Sequence, residues 1–63
     1  MDKADVLELF GSRKALADFL GIEGPAISQW GPEVPEMRQY QLRALRPAID
    51  KEIAKLQRKR NRK

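Results

Sequence analysis

A chain of 63 residues has room for one small domain, and at that size folding hides only about 60 % of the unfolded surface, so the core is thin. It holds no cysteine and no histidine, which excludes a disulfide framework and a thiolate metal site and removes the commonest general base and metal ligand. The net charge of +4 points toward nucleic acid, yet residues 55–63 carry six cations and no anion, so residues 1–54 sum to −2. The basicity belongs to the tail, and charge alone does not make a DNA-binding domain. No apolar run approaches the roughly 20 residues that cross a bilayer. Met1-Asp2-Lys3 leads into charged residues rather than a signal-peptide core. A cytoplasmic place is expected, with no membrane partner and no cofactor.

Residues 1–11 read as a first helix, with Asp2 a plausible N-cap and Asp5 in the first turn, where negative charge suits the helix dipole. Val6, Leu7, Leu9 and Phe10 supply its apolar face, the acids an ordinary solvated one, and Gly11 ends it. Ser12 can cap a second helix by accepting from a free first-turn amide. Ala15, Leu16, Phe19 and Leu20 then follow helical spacing. Gly21 stands where a helix end wants a left-handed residue. A third helix opens near Glu23, Gly24 and Pro25, since a first-turn amide has no intrahelical partner for proline to remove. Its inner stripe is Ala26, Ile27 and Trp30; its outer side, Gly24, Ser28 and Gln29, is small and polar. Glu23 suits a cap better than a base contact, because a carboxylate near phosphates is repelled. Two short helices joined by a tight glycine turn make a helix-turn-helix, with small Ala17 at the point of closest approach.

Gly31 to Pro35 is a turn-rich linker. Pro35 suits the first position of a fourth helix and Glu36 its positive end, and this helix runs to about Leu45. Met37, Tyr40, Gln41, Ala44 and Leu45 fall on one side of it. Pro47 interrupts the helix because its ring clashes with the preceding turn. Ala48, Ile49, Ile53, Ala54 and Leu56 then recur at helical spacing, which predicts a fifth helix over about 47–58. The rival is a strand pair, with Tyr40, Leu42 and Ala44 alternating against Gln41 and Arg43. Helix is favoured: there is no Asn-Gly or Asp-Gly hairpin signal and few β-branched residues. The run from Gln57 to Lys63 is polar and basic, with no apolar residue, and is expected to be disordered.

The spacing Ala17, Gly21, Ile27, Trp30, with Leu16 and Leu20 between, resembles the DNA-binding helix-turn-helix of phage Cro and repressor proteins. LFGSRKALADFLGI, then AISQWG, then VPEMRQY are similar to the small Cro proteins of lambdoid phages, over roughly residues 5–40. With the helical pattern of the C-terminal third, the expectation is an all-α, five-helix, lambda-repressor-like domain over residues 1–57, followed by a basic tail at 58–63. Cro-like proteins also come in a helix-plus-sheet form, so an α+β alternative with the C-terminal third as a β-hairpin stays open. The family's base-contacting positions fall on Gly24, Pro25, Ser28 and Gln29. Gln29 can pair two-pronged with adenine, Ser28 can serve either base type, and Pro25 or Ala26 can touch a thymine methyl. Gly24 and Pro25 depart from the polar pair that many relatives carry, which leaves direct readout to few side chains. Ser12, Arg13 and Lys14, at the helix end that points at the DNA backbone, are expected on phosphates. Arg38, Gln39 and Tyr40, early in the fourth helix, can reach the same backbone. The basic tail can add salt-sensitive affinity.

The function implied is repression by a weak homodimer that occupies a pseudo-palindromic operator in double-stranded DNA and blocks polymerase. Tyr40, Leu42 or Ile49 are candidates for the dimer contact. The alternative is a protein-interaction module or antitoxin that binds DNA secondarily; that reading requires exposed apolar residues on the third helix. Catalysis has no support, since Ser28 has no base to activate it and no paired carboxylates are present.

Overall fold

The computed structural model describes residues 1–61. Among these it consists of five helices in chain order: α1 (Lys3–Phe10), α2 (Arg13–Leu20), α3 (Gly24–Ser28), α4 (Glu36–Leu45) and α5 (Ile49–Asn61). No strand forms among the described residues. Asp2 and Glu33 make one isolated antiparallel bridge, with Lys3 N–H donating to Pro32 O at 3.0 Å and Val34 N–H to Met1 O at 2.9 Å. The fold is all-α, and the hairpin alternative is not supported.

The helix ends follow local chemistry. Gly11, at φ +93°, closes α1 by donating its N–H to Leu7 O. Asp2 occupies the N-cap of α1, but its side chain makes no capping bond. Pro35 is the N-cap of α4 rather than its first helical residue. After Arg46, residues 47 and 48 form a turn, and Ile49 N–H returns to Arg46 O at 2.9 Å. Pro47 therefore lies ahead of α5 instead of opening it.

Val6, Leu16, Ala17, Leu20, Ile27, Val34, Leu42, Ile49 and Ile53 form one core, with Leu7, Leu9, Phe10, Ile22 and Trp30 packed half-buried against it. α1 packs on α2 and α5, α2 on α3, and α4 on α5. Phe19 reaches the edge of the core, its ring 4.9 Å from that of Phe10. Each fully buried aliphatic side chain contributes about 1.5–3 kcal/mol relative to exposure.

Three expectations change here. α4 faces the core through Leu42, at 0 % exposure, while Met37 (83 %), Tyr40 (62 %) and Leu45 (54 %) face solvent. Leu42 and Ile49 are fully buried within the monomer, so neither is available to a second copy. Asp5 is not on a solvated face. It is 1 % exposed and accepts hydrogen bonds from Gln57 Nε2, at 2.9 Å, and from the Arg60 guanidinium. A carboxylate leaves water only when its charge is compensated, and two donors from α5 compensate this one. These bonds hold its pKa below the ordinary value of 3.8, Arg60 contributing most and Gln57 next. α5 accordingly continues to Asn61, through residues expected to be disordered, and brings Arg60 within 3.7 Å of Glu8 as well. The rest of the expected tail, residues 62–63, lies outside the described residues.

Candidate nucleic-acid interface

α2 begins with an N-cap, Ser12, whose hydroxyl oxygen accepts from Ala15 N–H at 3.1 Å. The hydroxyl hydrogen stays available to a ligand. α2 ends at Gly21, at φ +72°, whose N–H donates to Ala17 O and Asp18 O. Ile22 N–H closes the turn onto Ala17 O at 2.9 Å. A side chain at Gly21 would meet no neighbour, so the demand for glycine comes from the backbone angle rather than from crowding.

α3 is only five residues long, with Glu23 at its N-cap and Pro25 in its first turn. Glu23 takes the N-cap backbone conformation, but its carboxylate makes no capping bond, contrary to expectation. A helix this short has little intrinsic stability. It is held from outside, by Ile27 buried at 0 % exposure and half-buried Trp30 beyond its end. Lys3 Nζ donates to Trp30 O at 3.2 Å. Sequence reasoning missed Lys3, because nothing local connects residues 27 positions apart.

The expected base-reading positions divide by exposure. Pro25, Ser28 and Gln29 are exposed; Gly24 and Ala26 are half-buried. Ser12, Arg13 and Lys14 are exposed and line an open cleft with Asp18, Glu23 and Gly24, to which Ala17 and Ile22 also contribute. The starts of α2 and α3 are thus brought together. Arg13 crosses from α2 to α3, and its Nη1 donates to Ser28 Oγ at 2.5 Å. A Cβ at Gly24 would lie 3.3 Å from Arg13 Nε.

The α4 residues are engaged differently. Arg38 Nη1 donates to Gln41 Oε1 at 2.7 Å, and Gln41 Nε2 donates to Leu20 O at 3.2 Å, at the end of α2. Gln39 Nε2 donates to Val34 O at 2.8 Å, bracing the loop that follows the α3 region. Tyr40 Oη donates to Glu36 Oε1 at 3.1 Å. Gln41, absent from the expected site, is the residue that links α4 to the helix-turn-helix.

The family model described as "DNA-binding transcriptional regulator Cro" matches residues 2–46, which include the whole helix-turn-helix and all of α4. The chain belongs to the Cro family. It is 45 % identical over 42 residues to the "Regulatory protein cro" of Salmonella phage P22, covering 67 % of this chain and 69 % of that one. No solved structure matches it. Cro membership makes the chain a DNA-binding transcriptional regulator, not an enzyme. The Cro match ends at residue 46, so α5 lies outside it. No described helix is long and apolar enough to cross a membrane.

Proposed function

We propose that the protein is a Cro-type repressor that acts as a dimer, occupying a pseudo-palindromic operator and blocking access of polymerase. It works in the cytoplasm of a bacterial host. The observation that carries this reading is the outward flank of α3, where Pro25, Ser28 and Gln29 are exposed with no large apolar side chain among them, and the exposed acid, Glu23, stands at the N-cap. A protein-docking helix requires exposed apolar anchors there. A slim polar flank instead fits the floor of a major groove.

In this reading Gln29 pairs with adenine, Ser28 bonds to a neighbouring base edge, and Pro25 and Ala26 meet thymine methyls, with Gly24 allowing close approach. Ser12, Lys14, Arg38, Gln39 and Tyr40 meet the sugar-phosphate backbone on either side and fix the register. Gln39 and Tyr40 exchange their present partners to do so. A thin core is often completed by a second copy. The available surface is the far end of α4 and the turn after it, where Ala44, Leu45, Pro47 and Ala48 are exposed. Two-fold symmetry then sets the two copies of α3 about one DNA turn, ~34 Å, apart.

Selection from a random duplex pool tests the reading. An enriched inverted repeat with half-sites one turn apart is expected; enrichment of no sequence would sink it. Gln29→Ala should weaken binding to the selected site by about 1–3 kcal/mol and relax one base position, measured by titration against single-base operator variants. Leu45→Glu should leave the fold intact and abolish self-association in sedimentation. A dimer that persists unchanged would move the contact elsewhere.

A further inference from the structure

We propose that Arg13 is a base-reading residue, specific for a guanine, and that Ser28 positions it. The inference rests on the reading of α3 as the groove-facing element. Arg13 begins α2, where an arginine left in solvent would extend toward phosphates. Its guanidinium instead lies against α3, with Nη1 on Ser28 Oγ at 2.5 Å and Nε facing Gly24. Ser28 is on the exposed flank of α3, so a group bonded to its oxygen lies on that flank too.

Three features assist. The first is the absence of a side chain at Gly24. A Cβ there would come within 3.3 Å of Nε and 3.9 Å of Cδ and Cζ, so glycine leaves the path along which Arg13 crosses. The second is the number of donors. A guanidinium has five N–H groups in a rigid fork. One is committed to Ser28, and the others remain to meet O6 and N7 of guanine, the commonest specific arginine contact. The third is pre-orientation: an arginine already held by one bond loses less side-chain freedom on binding than a free one. A long side chain from the neighbouring helix thus takes the place that a polar residue at position 24 would have filled.

The test uses the full chain and four proteins: the unsubstituted protein, Arg13→Gln, Ser28→Ala and the double variant. Each is put through selection from a random duplex pool, followed by titration at several salt concentrations. Arg13 and Ser28 are exposed, so the variants keep their fold, which circular dichroism checks. The unsubstituted protein should require a G·C pair in each half-site. Arg13→Gln should lose that preference by about ten- to a hundredfold and keep the preferences at other positions. Ser28→Ala should weaken the preference at the same pair, and the double variant should be no worse there than Arg13→Gln.

If Arg13→Gln instead weakens all sequences alike, lowering the salt slope by about one with its base preferences intact, Arg13 is a phosphate contact and the proposal fails alone. A guanine preference lost in Arg13→Gln but untouched by Ser28→Ala would overturn the positioning role of Ser28. Enrichment of no sequence by the unsubstituted protein would remove the reading of α3 and this inference together.

Discussion

The two halves of the molecule are held together by different means. From Ser12 to Trp30 the chain relies on short-range devices: a hydroxyl cap, one left-handed glycine, and apolar residues spaced to lock two helices at a turn. From Glu36 onward it adds paired charges to the core side chains Leu42, Ile49 and Ile53. Arg46 donates to both carboxylate oxygens of Glu52, at 2.7 Å each, while its guanidinium lies 4.9 Å from the centre of the Phe10 ring. Arg43 bonds Asp50 at 3.0 Å, and Arg60 with Gln57 bonds buried Asp5. The reader half must keep one exposed flank open to its ligand, so its rigidity comes mainly from the backbone and the core. The C-terminal half has no such demand, and ion pairs can fix the angle between α4 and α5.

The contrast can be broken at either end. Ile27→Ala removes the peg under α3 and should cost about 2–5 kcal/mol in chemical denaturation, the largest effect expected. Loss of DNA affinity with stability unchanged would show that α3 is not held from below. Asp5→Ala should cost about 1–3 kcal/mol, because Gln57 and Arg60 lose a buried acceptor but are themselves exposed to water. The same bond carries a pH signature. Because the folded Asp5 has a pKa below its ordinary 3.8, its contribution is complete above that value and is lost as pH falls through the lower, folded one. Asp5→Asn should therefore flatten the acid limb of a stability–pH curve, and an unchanged limb would place acid sensitivity elsewhere. Ser12→Ala should cost about 1 kcal/mol, the smallest of the three, read as a modest drop in melting temperature.

This contrast also explains what could be read in advance. The turn at Gly21, the cap at Ser12 and the span of α4 were legible because each signal lies within a few residues of its effect. The position of α3 was legible, though its stop at Ser28 was not, since Gln29 and Trp30 continue a helical pattern. Asp5 was misplaced because its partners lie 52 and 55 residues away. Local pattern saw only an acid in a first helical turn. In α4, spacing grouped Met37, Tyr40 and Leu45 on one side without saying which way that side faces; it faces solvent, and Leu42 anchors the helix. In the interface, the residue types on α3 could be assigned to one flank from spacing alone. The bond from Arg13 to Ser28 could not, because a long flexible side chain has many possible partners and periodicity favours none of them.

The bond pattern around Asp5 also bears on synthesis. A growing polypeptide that has reached only residue 56 holds the acid of α1 with neither of its donors made. Until residues 57–60 have left the ribosome, the carboxylate of α1 has only water to compensate it, so the docking of α5 on α1 is among the last contacts the chain can make.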